Sequence, residues 1–327
     1  MSLSDGAAEP SPSRGSLEEP RSYYGQPVIK EPVWSWEIPW YFFTGGLGGA
    51  SAGLAYLAER TGNDELARRA WPVALAGVTV SPALLISDLG VPRRFLNMLR
   101  MVKVTSPMSI GSWILVTSGT TTAISTLHAT TGLLPRLARL AKPAAALAGL
   151  PLSTYTAALI SQTAVPIWHE ARRELPAVFA SGAAASAGAA ATALAPTRHA
   201  APARRLAVLG ALGELAAVQL MEHRLGGLAD PYHGDGVEPY TRAARFLTAL
   251  GAVAIAGPAR RDRRAAVAGG ALVLAGAVCE RWSVFKAGTL SARDPAYTIG
   301  PQRERVRARL GRGATGVASR GGRAHWS

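Results

Sequence analysis

The chain has 327 residues, of which 48% are hydrophobic and 17% charged, an apolar balance that is unusual for a soluble chain this rich in Ala and Gly. The formal net charge of +14 does not argue for nucleic acid, because the basic residues sit in short clusters between apolar segments, except at the C-terminus. A single cysteine, Cys279, excludes an intramolecular disulfide and any iron–sulfur cluster ligated by the cysteines of this chain alone.

Residues 1–36 are rich in Pro, Ser, Gly and acid and read as a disordered tail, with neither a signal-peptide core nor a twin-arginine pair. Residues 37–290 then read as a membrane domain of eight transmembrane helices, followed by a basic tail over 291–327. The first span, Ile38 to Ala58, carries an aromatic collar of Trp34, Trp36, Trp40 and Tyr41. Its small-residue face of Gly45, Gly46, Gly48, Gly49 and Gly53 suits close helix packing. The run GGLGG is not a nucleotide loop, being embedded in an apolar segment with no preceding strand. A second span is predicted over Trp71–Gly90, with Pro82 inside it, and a third over Met108–Thr131. The fourth is placed at Ala144–Trp168, the fifth at Ala177–Ala195, and the sixth at Leu206–Leu225 with Glu214 in its middle. The seventh, Tyr240–Ala259, requires Arg242 and Arg245 to snorkel, and the eighth runs from Ala265 to about Phe285.

An even number of crossings returns both ends of the membrane domain to one face. That face collects Glu37, Asp88, Arg93, Arg94, Asn97, Arg100, Ser109, Trp113, His169, Glu170, Arg172, Glu222, His223, Glu280 and Arg281, whereas the other carries mainly Lys and Arg. The polar stretch from Asp88 to Trp113 concentrates ionisable groups where chain meets bilayer, which is costly in lipid and marks a site. It is expected to form the mouth of a pocket. Short-connector charge bias puts the terminal face outside the cytoplasmic membrane, although the basic C-terminal tail pulls the other way.

Five stretches carry a resemblance: WSWEIPWYFFTGGLGG, DLGVPRRFLNMLR, TSPMSIGSW, VPIWHEARRELP and FKAGTLSARDPAYTIGPQRER. In order and spacing, from about Tyr23 to Arg305, the sequence resembles the NrfD family, the membrane subunits of polysulfide-reductase-like and related molybdoenzyme complexes. The resemblance implies an all-α integral membrane protein of two four-helix bundles. It implies electron exchange with menaquinone or its quinol, a ferredoxin-like partner subunit with four-iron clusters, and beyond it a molybdenum- or tungsten-pterin catalytic subunit. Carried over by position, the quinone-side residues are Glu37 and Tyr41, then Asp88, Arg93 and Asn97, then Ser109 and Trp113.

Reducing a quinone takes two electrons and two protons, so its carbonyl oxygens need hydrogen-bond partners and a group that exchanges protons. Glu37 and Asp88 fit as acid/base groups, Arg93 as an electrostatic stabiliser, Tyr41 and Trp113 as ring-packing walls. The plainer alternative is an Asp88–Arg93 pair that only finishes a helix, with aromatic residues that only anchor. Glu214 belongs either to a proton path or to the structure as a neutral, hydrogen-bonded acid. His169, Glu170 and Arg172 are expected to dock the partner subunit; HEARRE lacks the second His of a zinc motif, and no metal site is expected. Nor is haem, since only His128 and, at a span end, His223 fall near spans, toward opposite faces. Two rival functions are a structural anchor that binds no quinone and a secondary transporter, although the Asp88 to Trp113 stretch has no second copy that a repeat would supply.

Overall fold

The computed structural model describes residues 28–303, so residues 1–27 of the tail expected over 1–36, and residues 304–327 of the basic tail expected over 291–327, lie outside the described residues. Within them all regular structure is helical: α1 (Glu37–Arg60), α2 (Asp64–Asp88), a short α3 (Phe95–Leu99), α4 (Pro107–Thr131), α5 (Pro135–Ser161), a short α6 (Pro166–Glu170), α7 (Leu175–Leu194), α8 (Ala201–Leu225), α9 (Glu238–Ala256) and α10 (Arg263–Arg293). Local chemistry sets several ends. Asn63 caps α2 by accepting from the Leu66 N–H, Ser106 caps α4 with Pro107 following at its first position, and Gly132 ends α4 at φ 75°.

Most boundaries fall near their sequence expectation, but α10 runs eight residues past the expected Phe285, to Arg293, and two other departures are instructive. Helix α2 begins seven residues before the expected Trp71, because the Asn63 cap makes the polar segment DELARR its first two turns. The fourth expected span is in fact broken. Helix α5 starts at Pro135 and stops at Ser161, and Trp168 belongs to the separate α6 after an extended Val165. Pro166 is the physical reason: it disfavours helix at the residue before it and cannot donate to the preceding turn.

Helices α1, α2, α4 and α5 pack on one another, as do α7, α8, α9 and α10, and α1 meets α7 where the two groups join. Glycine makes the first group close. A Cβ on Gly77 would lie 2.7 Å from the Gly48 Cα, and one on Gly49 would meet the Gly149 carbonyl, so α1 touches α2 and α5 backbone to backbone. Gly53, by contrast, faces open space. Among the described residues five helices, α2, α5, α7, α8 with its 3-10 extension to His233, and α10, are long and apolar enough to cross a membrane. The chain is an all-α, multi-pass membrane protein.

Candidate functional site

The expected quinone mouth is built where α2 ends. Asp88 is the last residue of α2; the chain turns out through an extended Leu89, makes a 3-10 turn over Pro92–Arg94, and enters α3. On so short a helix, Phe95 and Met98 share one side and are half-buried, whereas Arg93, Arg94 and Asn97 are exposed. The Ser112 hydroxyl holds Met98 against α4 by a contact of 3.8 Å to its sulfur.

Phe95 and Met98 help to line a mostly apolar cavity of about 80 Å3 whose walls also include Trp34, Ile38, Tyr41, Leu115, Tyr155 and Asp88. Tyr155, from α5, was not singled out in the sequence. The only sequence signal for it was Gly111, at which a Cβ would overlap the Tyr155 ring, and nothing local links the two.

Glu37 and Asp88 do come together, through a residue that sequence reasoning passed over. The Ser35 hydroxyl lies 2.5 Å from Glu37 Oε2 and 3.0 Å from Asp88 Oδ1, and the Ser35 N–H donates to the same Asp88 oxygen at 3.2 Å. A hydroxyl has one hydrogen, so Ser35 donates to one acid at a time and links the two side chains.

The other motif residues take different places. Arg93 forms no ion pair among the described residues, so it does not finish α2 by pairing with Asp88. The Ser109 hydroxyl donates to the Met101 carbonyl at 3.1 Å and accepts from the Lys103 N–H at 3.0 Å; Trp113 Nε1 donates to the same Met101 carbonyl at 3.4 Å. Ser109 and Trp113 thus hold the loop between α3 and α4. Asn97 stands beside them at the surface.

On the same face, His169, Glu170 and Arg172 line an open groove of about 1000 Å3 together with Gln162, Tyr297 and Gln302. Burial, with the nearby carboxylates of Asp230 and Asp294, pushes the Tyr297 phenol up, which keeps it a neutral donor. The floor is firm: Arg224 reaches both Glu174 oxygens at 2.5 and 2.6 Å, and also the Glu170 carbonyl. Behind it Trp168 donates to the Val284 carbonyl at 2.8 Å and stacks on Trp34 at 5.8 Å, joining the two helix groups.

Glu214 lies inside the second group and is 3% exposed. Its partner is Arg281 from α10, 2% exposed, whose Nη1 lies 3.7 Å from Glu214 Oε1. Arg281 also donates to the Phe179 carbonyl at 3.2 Å and lies 4.1 Å over the Phe179 ring. Gly182 makes the room, since a Cβ there would strike both Glu214 and Arg281. Both Glu214 oxygens, and Nε and Nη1 of Arg281, have no hydrogen-bond partner among the described residues. The buried Glu280 stands within electrostatic reach of Glu214 and of Glu222. Glu222 pairs in turn with Arg245 and with His233 at 3.8 Å, so Arg245 is paired where it was expected to snorkel. Sequence reasoning placed Glu280 and Arg281 on the terminal face but gave them no role, because their meeting with α8 is a matter of packing. Among the described residues no three His, Cys, Asp or Glu side chains gather as a metal-ligand group.

No curated protein matches the chain. A family model described as "Polysulphide reductase, NrfD" matches residues 26–228, more than half of the chain and all of the segment from Ser35 through α8, though not α9, α10 or the post-span motif. The chain therefore belongs to the NrfD family of polysulphide reductase membrane subunits, proteins of oxidoreductase complexes.

Proposed function

We propose that this chain is the quinone-reactive membrane subunit of a molybdenum- or tungsten-pterin, iron–sulfur oxidoreductase complex in the cytoplasmic membrane, passing electrons between a ferredoxin-like subunit and the menaquinone pool. The observation that carries the reading is the Ser35-bridged pair of Glu37 and Asp88, of which Asp88 lines an apolar cavity. Eight crossings fit it. Helices α1 and α4, with 24 and 25 residues, are each about 36 Å long, and α9 about 28 Å, against a hydrocarbon thickness of about 30 Å.

In this reading Asp88, on the cavity wall, exchanges a proton with a quinone oxygen, and Glu37 resupplies or drains it through Ser35. Tyr41 and Tyr155 wall the ring. Arg93, Asn97 and the Ser109–Trp113 brace shape the mouth from its surface side. Glu214, whose oxygens accept no hydrogen bond among the described residues, is the start of a proton path through Glu280 and Glu222 toward His233, buried polar groups without a hydrogen bond being where ordered water enters a protein. His169, Glu170 and Arg172 belong to the surface on which the iron–sulfur subunit docks.

At about 80 Å3 the cavity is smaller than the ~300–1,000 Å3 of typical ligand pockets, so a quinone ring enters only when Phe95 and Met98 swing out with α3. Met98→Ala is therefore expected to lower the apparent KM for quinone by about three-fold with kcat kept, since less of the population must be opened to bind. An unchanged KM would show that α3 is not the gate.

Extraction from the native membrane is expected to bring an iron–sulfur subunit and bound quinone with the chain, seen as cluster absorbance and by solvent extraction. Clusters without quinone, together with no quinone turnover, would reduce the chain to a structural anchor. A lone, redox-silent polypeptide would overturn the reading altogether.

A further inference from the structure

The face opposite the candidate site has a feature that quinone chemistry does not use. Between α8 and α9 lies a groove of about 480 Å3 whose walls include Val208, Leu209 and Ile255 and whose upper end carries Arg204, Arg205 and Arg260. Arg205 and Arg260 are exposed and Arg204 is half-buried, donating to the Thr197 carbonyl at 2.8 Å. The three guanidiniums line the one groove, and Arg205 and Arg260 each stand close enough to Arg204 for their charge to act on it. None is in an ion pair among the described residues. Asp262, the acid nearest in sequence, is committed to capping α10, accepting from the Arg264 and Ala265 N–H groups at 2.9 and 3.3 Å.

Three converging cations without a carboxylate repel one another and cost stability unless an anion joins them. The anion must also suit what lies below, an apolar furrow between two helices at the membrane boundary. We propose that this groove binds an anionic phospholipid, its phosphate held by Arg204, Arg205 and Arg260 and an acyl chain laid along Val208, Leu209 and Ile255. Basic pockets between transmembrane helices are well suited to such headgroups, because the guanidinium plane offers paired N–H donors to phosphate oxygens. A soluble anion would use the arginines but leave the furrow unfilled. The lipid does both, and it ties α8 to α9.

The test is titration of the purified full-length protein in detergent with phosphatidylglycerol, phosphatidylcholine or inorganic phosphate, read by thermal shift and by lipid retained in native mass spectrometry. Phosphatidylglycerol is expected to stabilise the protein and stay bound, and phosphatidylcholine to do neither. Arg205→Gln with Arg260→Gln is expected to weaken phosphatidylglycerol binding about 30-fold, at about five-fold per charge removed. Arg136→Gln with Arg139→Gln, which removes the same charge from exposed positions at the start of α5 on the same face, is expected to leave it unchanged. The proposal is overturned if both pairs of substitutions weaken binding alike, if phosphatidylcholine binds as well, or if inorganic phosphate stabilises the protein as much as the lipid does.

Discussion

Glu37→Gln and Asp88→Asn are each expected to lower quinone turnover by at least about 100-fold while the iron–sulfur partner stays bound and can still be reduced by its own catalytic subunit. Both substitutions keep the shape and the hydrogen bonds to Ser35 but remove the proton that the pair passes. Ser35→Ala should give an intermediate loss, since the acids survive but the hydroxyl that joins them does not. The measurement is quinone turnover beside cluster reduction in one purified complex. Normal turnover in both acid variants would place the chemistry elsewhere. Loss of the partner subunit from both would make Glu37 and Asp88 part of the docking surface.

A second large effect is expected at the buried pair. Arg281→Met leaves Glu214 and Glu280 without the cation between them, and breaking a buried pair from one side costs about 3–5 kcal/mol. That loss is large enough to show as failed accumulation in the membrane or a much lower unfolding temperature. Glu214→Gln combined with Arg281→Met should recover part of it, because the carboxylate that needed the cation is gone. Glu214→Gln alone separates structure from proton transfer. Normal assembly with slowed turnover or altered proton stoichiometry supports the path, whereas wild-type turnover and unchanged proton release would leave Glu214 a structural acid only. Gly182→Ala provides a steric check, since its Cβ would push both side chains apart without changing any charge.

Much of this protein was legible in its sequence because much of it is governed locally. Apolar stretches of membrane length gave most of the long helices, and Asn63, Ser106 with Pro107, and Gly132 marked their ends by hydrogen bonds that span only a few residues. Parity of the crossings was enough to bring Glu37 and Asp88 to one face, and the motifs that resemble the NrfD family lay in uninterrupted runs. What the sequence left open depends on how each helix is rotated against its neighbours. Ser35 meets Asp88 across 53 residues, and Trp168 meets the Val284 carbonyl across 116. Arg93 and Asn97 share a motif with Asp88, yet the turn after α2 carries them to the surface while Phe95 and Met98 turn inward. Arg281 and Glu280 looked like the polar end of a last helix until the tertiary structure brought Glu214 of α8 to the Arg281 guanidinium. In a helix the position of a side chain along the axis is set by counting residues, but what it touches is set by which faces pack, and here glycine contacts such as Gly48 with Gly77 and Gly49 with Gly149 decide that.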